Sequence, residues 1–492
     1  MAAEIELKLF LDLADLQTLT TKLSNLEHSE LLPTKQLTNR YFDTQDLQLR
    51  RWDMGLRVRG EGDHREQTIK TAGRVAGGIH SRPEYNIDIE ADTPTLSLFP
   101  DEIWPVDADI ATVQNELYCL FDTNFTRQLW HVYVGNSMVE IALDTGTIVA
   151  SGEREEICEL EFELLAGEVS ALIELATQVA EWIPVRLGKA SKAQRGYRLA
   201  SQSSPLSLEA LKYVELTKDS DINIAVQTLL ETCVERWQLL EQMIAESAHV
   251  PLQCVELWQR LRSIIRLQRL TLQQFGLWEA GYDSGFELLE ANLGFVDKAQ
   301  YAAGIIEESL ASKHQQSDAF EAKAAAELTG FDFTAKLHSL QRMPQYGQLQ
   351  LAMVRLLLDL QKGLVVLPQV SLKAMADKMQ EASWQSILEL MPPTQSLSDT
   401  DYLSAIEQLD EAILVGFAYG ELYDAQSRDS FRAPWGDLVN GIRTLGSYNL
   451  LDEYSHQLEL DLSDWLTNKK DSLLLALDFS RKSAQAMTPY WR

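Results

Sequence analysis

The sequence predicts an α+β protein, in which an N-terminal eight-stranded antiparallel β-barrel with flanking helices is followed by an all-α helical bundle. Up to about residue 200, apolar and polar residues alternate with period 2, as they do in strands that bury one face. Beyond about residue 220, apolar residues recur with period 3.6, which is typical of amphipathic helices. We expect a barrel domain over 1–200, a linker over 201–219 and a helical domain over 220–492.

The individual elements follow from the same patterns. Turn residues such as Gly60-Glu61-Gly62-Asp63 separate the predicted strands. The segments Asp12–Leu26 and Val169–Trp182 have the pattern of flanking helices. In the second half, Ile222, Val226 and Leu229 begin a helical face, and similar faces recur to the C-terminus, which predicts antiparallel helices joined by loops. The predicted strands are Glu4–Phe10, Leu56–Gly60, Gln67–Thr71, Arg82–Glu90, Thr126–Val134, Met138–Asp144 and Ile157–Leu165.

The charge and composition exclude several classes of function. The chain has 492 residues, 43 of them basic and 73 acidic, and a net charge of −30. This charge argues against nucleic acid and against an anionic membrane surface, because both are bound through lysine and arginine. The hydrophobic content of 45% suits a globular protein. The four cysteines form no CxxC pair, so a disulfide framework or a zinc site is not expected.

We also expect a soluble, cytoplasmic protein. The N-terminal residues Met1-Ala2-Ala3-Glu4 lack the basic and apolar regions of a signal peptide. No apolar run approaches the roughly 20 residues that a membrane helix needs.

Charged residues occupy one face of at least six predicted strands, because side chains two residues apart share a face. The other face of the first strand carries Ile5, Leu7 and Leu9, so we expect the charged face to line the barrel interior. The basic residues on these faces suit phosphate oxygens: Arg57, Arg59, Lys70, Arg82 and Arg127. The acidic residues are hard oxygen ligands for Mg²⁺ or Mn²⁺: Glu4, Glu6, Asp144, Glu159, Glu161 and Glu163.

These two sets predict one kind of chemistry. So many carboxylates in one cavity require cations, and divalent metals would both neutralise them and bridge to phosphate. The sequence therefore predicts a polyphosphate held between basic residues and metal-bound carboxylates, with metal-assisted phosphoryl transfer to water as the reaction.

The same residues carry a family resemblance over about residues 1–200. Glu4-Ile5-Glu6-Leu7-Lys8 resembles the ExExK signature of the CYTH, or triphosphate tunnel metalloenzyme, superfamily. Further matching segments follow in the order of that family: Tyr41-Phe42-Asp43-Thr44, Gly55-Leu56-Arg57-Val58-Arg59, Thr68-Ile69-Lys70, Arg82-Pro83-Glu84-Tyr85, Leu143-Asp144, Glu159-Leu160-Glu161-Phe162-Glu163 and Ser191-Lys192. The ordered set is far more specific than ExExK alone.

The resemblance implies a tunnel of eight antiparallel strands that binds a linear triphosphate. It implies that Glu4 and Glu6 bind metal together with Glu159 and Glu161, while Asp144 assists. It adds Lys192 to the residues that hold the phosphates. It also places Lys8 beside the hydrolysed phosphoryl group, where we favour a role in orienting the attacking water or stabilising charge.

The second half resembles the CHAD domain, a helical module that often follows CYTH. Arg262, Arg266 and Arg269 lie on one helical face, and Gly441-Ile442-Arg443-Thr444 resembles a later basic helix of that family. CHAD domains are associated with polyphosphate binding, but residues 201–492 carry a net charge of −16, which disfavours that role.

Three functions are compatible with the sequence. The leading hypothesis is a metal-dependent inorganic triphosphatase, which splits tripolyphosphate into pyrophosphate and phosphate. The first alternative is a class IV-type adenylate cyclase, or a thiamine or nucleoside triphosphatase, that uses the same tunnel. The second alternative is a non-catalytic polyphosphate-binding scaffold.

Overall fold

The computed structural model describes residues 4–76, 79–203, 206–247, 249–279, 281–311 and 317–492, with the side chains of residues 4, 74–76 and 79–80 outside the description. The chain forms two compact units. The first comprises Met1–Leu206 and Gln341–Leu358, and the second comprises Ser207–Leu340 and Asp359–Arg492. The domain boundaries expected from the sequence remain a prediction, and the first unit includes a helical segment from far along the chain. No described helix is both long enough and apolar enough to cross a bilayer.

An antiparallel sheet forms the first unit. Its described strands are β1 (Glu4–Phe10), β2 (Ser29–Leu31), β3 (Lys35–Asp43), β4 (Gly55–Glu61), β5 (His64–Lys70), β6 (Arg74–Ala76), β7 (Ile79–Arg82), β8 (Glu84–Ile89), β9 (Tyr118–Val134), β10 (Ser137–Ala150), β11 (Glu153–Ala166) and β12 (Arg186–Leu187). Their order in the sheet is β6-β7-β1-β11-β10-β9-β3-β4-β5-β8, with β12 beside β1 and β2 beside β9. The longer strands of this sheet, each of at least 6 residues, are β1, β3, β4, β5, β8, β9, β10 and β11.

The two ends of this sheet are joined by the chain itself. β8 pairs with β5 and β7 pairs with β1, and Pro83 is the single residue between β7 and β8. Proline has no backbone N–H and therefore interrupts a ladder of hydrogen bonds. The segment predicted as one strand over 82–90 is thus two strands. The sheet is a nearly closed barrel, and the predicted fold class is confirmed.

Helices cover the outer face of the barrel. They are α1 (Leu16–Ser24), α2 (Gln48–Arg51), α3 (Ile110–Glu116) and α4 (Ser170–Trp182), and a fifth helix, α5 (Lys192–Leu199), follows them in the chain. α4 buries an apolar face that includes Leu172 and Leu175, and it packs on β1 and β11, whose Leu9 and Phe162 are fully buried. Because the apolar face of these strands is covered by helices, their charged face lies in the barrel interior.

α5 differs from the other helices because it packs on interior side chains. Tyr197 contacts the ring of Phe121 at 5.3 Å between centroids, and Phe121 shares a strand face with Arg127. Ser191 caps the first turn of α5 through a reciprocal capping box with Gln194, so the helix begins at Lys192. This start places Lys192 near the interior charges.

The remaining described helices follow in the second half of the chain: α6 (Ile222–Ser247), α7 (Pro251–Gln274), α8 (Tyr282–Leu293), α9 (Phe295–Glu307), α10 (Ser317–Gly330), α11 (Phe333–Gln341), α12 (Pro344–Gln361), α13 (Leu372–Leu390), α14 (Asp399–Tyr419), α15 (Ala425–Gln457) and α16 (Ser463–Gln485). In the second unit, α6 packs on α7 and α15 packs on α16. Trp237 and Trp258 lie in its core, each about 1% exposed. Most of α12 belongs instead to the first unit.

Candidate active site

Three buried carboxylates meet in the barrel interior. Asp144 on β10 lies directly opposite Glu159 on β11, and Glu161 follows two residues later on the same face. One oxygen from each lies within 4.8 Å of the others. Asp144 and Glu159 have no exposed surface. We call Asp144, Glu159 and Glu161 the carboxylate cluster.

Four cations surround the carboxylate cluster. Lys8 Nζ lies 3.0 Å from Glu159 Oε1 and 2.9 Å from Glu161 Oε1. Arg127 donates to both oxygens of Asp144, at 2.7 and 2.6 Å, and to Glu161 at 2.8 Å. Arg195 Nη1 donates to Glu159 Oε2 at 3.2 Å. The four cations therefore outnumber the three carboxylates within the described residues.

Lys192 is the most central of these cations. Its Nζ lies 2.6 Å from Asp144 Oδ2 and 3.1 Å from Glu161 Oε1, and it also contacts Glu159 Oε1. One ammonium group thus contacts all three carboxylates of the cluster. The Lys192 ammonium therefore lies where a metal ion bound by all three carboxylates would also lie.

Lys8, Glu161 and Asp144 are held in their charged forms by the opposite charges around them. Burial alone would lower the pKa of Lys8, but Glu159 and Glu161 outweigh it and raise that pKa. Burial alone would raise the pKa of Glu161, but Lys192 and Lys8 outweigh it and hold that pKa well below its usual range. Burial is likewise overcome at Asp144, whose pKa is lowered by Lys192 and Arg127. Opposite charges in a poorly solvated interior keep one another charged.

A second group of basic residues lies on strands β4, β5 and β7. Arg57 Nη2 donates to Glu84 at 3.2 Å, Lys70 Nζ pairs with Glu84 at 2.8 Å, and Arg59 donates to Asn39 at 2.9 Å. We call Arg57, Arg59, Lys70 and Arg82 the basic wall.

The basic wall has donors to spare. The Nε atoms of Arg57 and Arg82 are buried and have no hydrogen-bond partner among the described residues. Burial and the nearby Arg57 and Arg127 lower the pKa of Arg59 to about 10. Buried donors without a partner and repulsion between neighbouring cations both favour the binding of an anion beside the basic wall.

A further layer of acidic residues lies next to the carboxylate cluster along the strands. Glu163 on β11 is opposite Glu6 on β1 and Glu140 on β10. Burial, followed by the charge of Glu140, raises the pKa of Glu163. His131 Nε2 lies 3.0 Å from Glu140 Oε2.

The structure thus divides the predicted site residues into layers. Lys8, Arg127, Asp144, Glu159, Glu161 and Lys192 form one contacting group. Glu6 and Glu163 lie in the adjacent layer rather than within the 4.8 Å carboxylate cluster. The Glu4 side chain falls outside the described part, although its backbone is opposite Arg82.

The sequence patterns missed two residues that hold this arrangement. Arg195 lies one helical turn after Lys192 on α5, donates to Glu155 at 2.7 Å and reaches Glu159. Its spacing of three residues from Lys192 was the available signal. Asn39 supports Arg59 from β3, a strand that was not predicted, because buried Asn39 breaks the apolar alternation between Leu37 and Tyr41.

Basic residues of the second unit are paired differently. Arg262 donates to Asp297 at 2.6 Å, and Arg443 donates to Asp410 at 2.9 Å. Arg266 binds Glu290. These arginines are held by carboxylates, so their charges are locally compensated.

One protein family matches the part of the chain that forms the barrel. Residues 2–197 match the family model of the CYTH domain. We call this part of the chain the CYTH domain, after the family model that it matches. The resemblance inferred from the ExExK signature and the motifs that follow it is confirmed for this region.

Individual relatives of the CYTH domain are also known. The chain is 38% identical over 210 residues to an inorganic triphosphatase of Haemophilus influenzae, an alignment that covers 41% of this chain and 56% of that protein. The chain therefore matches about half the length of this curated relative. A Hippeastrum protein described as an adenylyl cyclase with a dominant triphosphatase activity aligns with 41% of this chain and 98% of its own, at 20% identity and a TM-score of 0.31.

The CHAD domain of Ricinus communis aligns with 58% of this chain and 98% of its own length, at 17% identity and a TM-score of 0.43. The resemblance of the helical half to CHAD remains a prediction.

Proposed function

We propose that the CYTH domain is a metal-dependent inorganic triphosphatase, which cleaves tripolyphosphate into pyrophosphate and phosphate inside the barrel. The observation that carries this proposal is the juxtaposition of the basic wall with the carboxylate cluster in one interior. The identity to a relative named as an inorganic triphosphatase supports it. The proposal concerns the first unit and assigns no polyphosphate-binding role to the second, because Arg262, Arg266 and Arg443 are already paired with carboxylates.

Substrate binding is assigned to the basic wall together with Arg127 and Lys192. Arginine offers forked donors that match phosphate oxygens, and the unused Nε atoms of Arg57 and Arg82 are available for that purpose. Arg59 is held in place by Asn39, which accepts from its Nε and leaves the rest of the guanidinium for the substrate. A linear triphosphate would supply the negative charge that this wall lacks.

The carboxylate cluster fits a divalent cation. Its donors are hard oxygens that converge within 4.8 Å, which is the donor chemistry that Mg²⁺ and Mn²⁺ prefer. We assign Asp144, Glu159 and Glu161 as the residues that would hold the metal, with Glu4, Glu6 and Glu163 as further ligands from the adjacent positions. When bound, a divalent cation would take over part of the charge compensation that Lys192 now provides, and it would polarise phosphate oxygens.

Two lysines complete the proposed site. Lys192 must withdraw from the carboxylate cluster when a metal binds, and its flexible stem lets its ammonium turn to a phosphate oxygen instead. Lys8 is held by Glu159 and Glu161, which aim its ammonium at the space beside the cluster. We assign Lys8 to orienting the attacking water or stabilising charge on the reacting phosphoryl group.

One assay with several substrates tests the proposal. Purified protein is incubated with tripolyphosphate, ATP or thiamine triphosphate, each with Mg²⁺, with Mn²⁺ or with a chelator, and phosphate and cyclic AMP are measured. We expect phosphate release from tripolyphosphate that requires the metal and exceeds release from the other substrates. Cyclic AMP from ATP without tripolyphosphate cleavage would assign the site to a cyclase. Binding of polyphosphate without any turnover would assign it to a scaffold.

A further inference from the structure

Helix α12 is part of the barrel unit although it lies more than 140 residues beyond the CYTH domain in sequence. Gly347 on α12 packs closely against the backbone of Val185, so that a Cβ at position 347 would lie 1.9 Å from Val185 O. Three residues later, on the same helical face, Gln350 Oε1 accepts a hydrogen bond of 2.9 Å from Leu187 N. Gln350 is 2% exposed, and its Nε2 has no hydrogen-bond partner among the described residues.

The segment that Gln350 holds connects α4 to α5, and we call residues 183–191 the strap. Within the strap, β12 is two residues long and pairs with β1, with Leu187 opposite Leu9 and Arg186 opposite Phe10. Gly188 N then donates to Lys8 O at 2.8 Å, and a Cβ on Gly188 would lie 2.8 Å from Lys8 Cγ. The strap ends at Ser191, the cap residue of α5, directly before Lys192.

The strap therefore contacts both lysines of the proposed active site. On one side it lies against the backbone and side chain of Lys8. Its last residue, Ser191, directly precedes Lys192, so the end of the strap determines where Lys192 lies relative to the carboxylate cluster. β12 is two residues long and makes few hydrogen bonds with β1. Gln350 adds one on the other side, because its oxygen accepts from the buried Leu187 N–H where β12 faces away from β1.

We propose that Gln350 is a positioning residue for catalysis: its hydrogen bond to Leu187 fixes the strap and thereby sets the positions of Lys8 and Lys192. This inference rests on the proposed triphosphatase function. It extends that function by making a residue of the second half of the chain necessary for the geometry of the CYTH site. A misplacement of about 1 Å at catalytic groups can reduce a rate about 100-fold, so a small movement of the strap is sufficient to be measured.

The test compares substitutions of two neighbouring glutamines on α12. Gln350→Met removes the acceptor at nearly constant size. Gln348→Met is the matched control, because Gln348 Nε2 donates to Ala180 O, which lies on α4 and outside the strap, at 3.0 Å. Gln350→Glu keeps an accepting oxygen and replaces the unpartnered amide nitrogen by a hydroxyl, because burial favours the neutral carboxylic acid at this position. Each full-length variant is assayed for kcat and KM with tripolyphosphate and for its thermal midpoint.

We expect kcat of Gln350→Met to fall about 10-fold or more and KM to rise by a smaller factor, because the basic wall is untouched and Lys192 is the only proposed substrate-binding residue that the strap positions. Gln348→Met should lose comparable thermal stability but keep kcat, and Gln350→Glu should restore most of kcat. Equal kcat values for Gln350→Met and Gln348→Met would overturn the inference. An inactive wild-type protein would instead overturn the proposed function.

A milder variant covers the case in which Gln350→Met yields no folded protein. Gln350→Asn withdraws the oxygen by one methylene, and hydrogen exchange of the Leu187 amide is then measured beside kcat. Faster exchange together with lower kcat supports the inference, and unchanged exchange or unchanged kcat overturns it.

Discussion

Replacing Lys192 by methionine should make the metal-free protein bind Mn²⁺ more tightly. The ammonium of Lys192 contacts Asp144, Glu159 and Glu161, so it occupies the cluster that a divalent cation would use. Every metal ion that enters the wild-type cluster must first displace this ammonium. Methionine has a similar length but no charge, so it removes the one ammonium that contacts all three carboxylates and leaves the contacts of Lys8 and Arg127 in place.

The size of the effect follows from the burial of this ion pair. Breaking a buried, hydrogen-bonded charge pair costs about 3 kcal/mol, at the low end of measured values. In Lys192→Met no ion pair at position 192 has to be broken when Mn²⁺ binds. At about 1.4 kcal/mol per factor of ten, the saved free energy corresponds to roughly 100-fold tighter binding of Mn²⁺. Three like charges left without Lys192 also destabilise the metal-free fold, so its thermal midpoint should fall and Mn²⁺ should restore it.

The measurement is a calorimetric titration of chelator-treated protein with Mn²⁺ in the absence of substrate. Lys192→Arg is the control, because it keeps a cation at this position and should bind Mn²⁺ about as weakly as the wild type. If Lys192→Met and the wild type have the same affinity for Mn²⁺, then Lys192 does not compete with the metal and the reasoning is refuted.

Three further outcomes follow from the same structure. Glu161→Gln removes a charge from the carboxylate cluster at constant size, so Mn²⁺ affinity and tripolyphosphate turnover should both fall at least about 100-fold, and retention of both would contradict the metal assignment. Arg59→Ala removes a donor of the basic wall, so KM should rise about 10-fold with a smaller change in kcat, and an unchanged KM would contradict the binding assignment. Gly347→Ala forces a Cβ against Val185 O and should lower the free energy of unfolding by about 2 kcal/mol. The control is Gly436→Ala in α15, whose Cβ would meet no atom within 4 Å and which should stabilise the protein by up to about 1 kcal/mol. Equal unfolding midpoints for the two variants would contradict the close contact between α12 and Val185.

Strand periodicity predicted much of the site because barrel interiors obey a simple rule. Residues two apart share a face, so Arg57 with Arg59 and Glu159 with Glu161 could be assigned to the interior without coordinates. The same rule could not tell which carboxylates contact one another. That depends on the register between β10 and β11, which places Asp144 opposite Glu159 and Glu163 opposite Glu140.

The parts that sequence patterns did not predict depend on long-range contacts. Pro83 divides one predicted strand into β7 and β8 because the two halves pair with different neighbours. Asn39 is a buried polar residue whose partner, Arg59, is on another strand, so β3 lacked the usual apolar alternation. Gln350 looks like an ordinary polar residue on an amphipathic helix, and its partner Leu187 lies 163 residues away. Local periodicity carries no information about such pairs.

The central claim is that the CYTH domain hydrolyses tripolyphosphate with the help of a divalent metal. The most direct test follows the reaction by phosphorus NMR, with the wild-type protein, tripolyphosphate and Mn²⁺-free buffer to which Mg²⁺ is added. We expect one pyrophosphate and one phosphate per tripolyphosphate consumed, no reaction in the presence of chelator, and no reaction with Glu161→Gln. Tripolyphosphate that remains intact with metal present, or is cleaved equally well by the chelated wild type, would contradict the central claim.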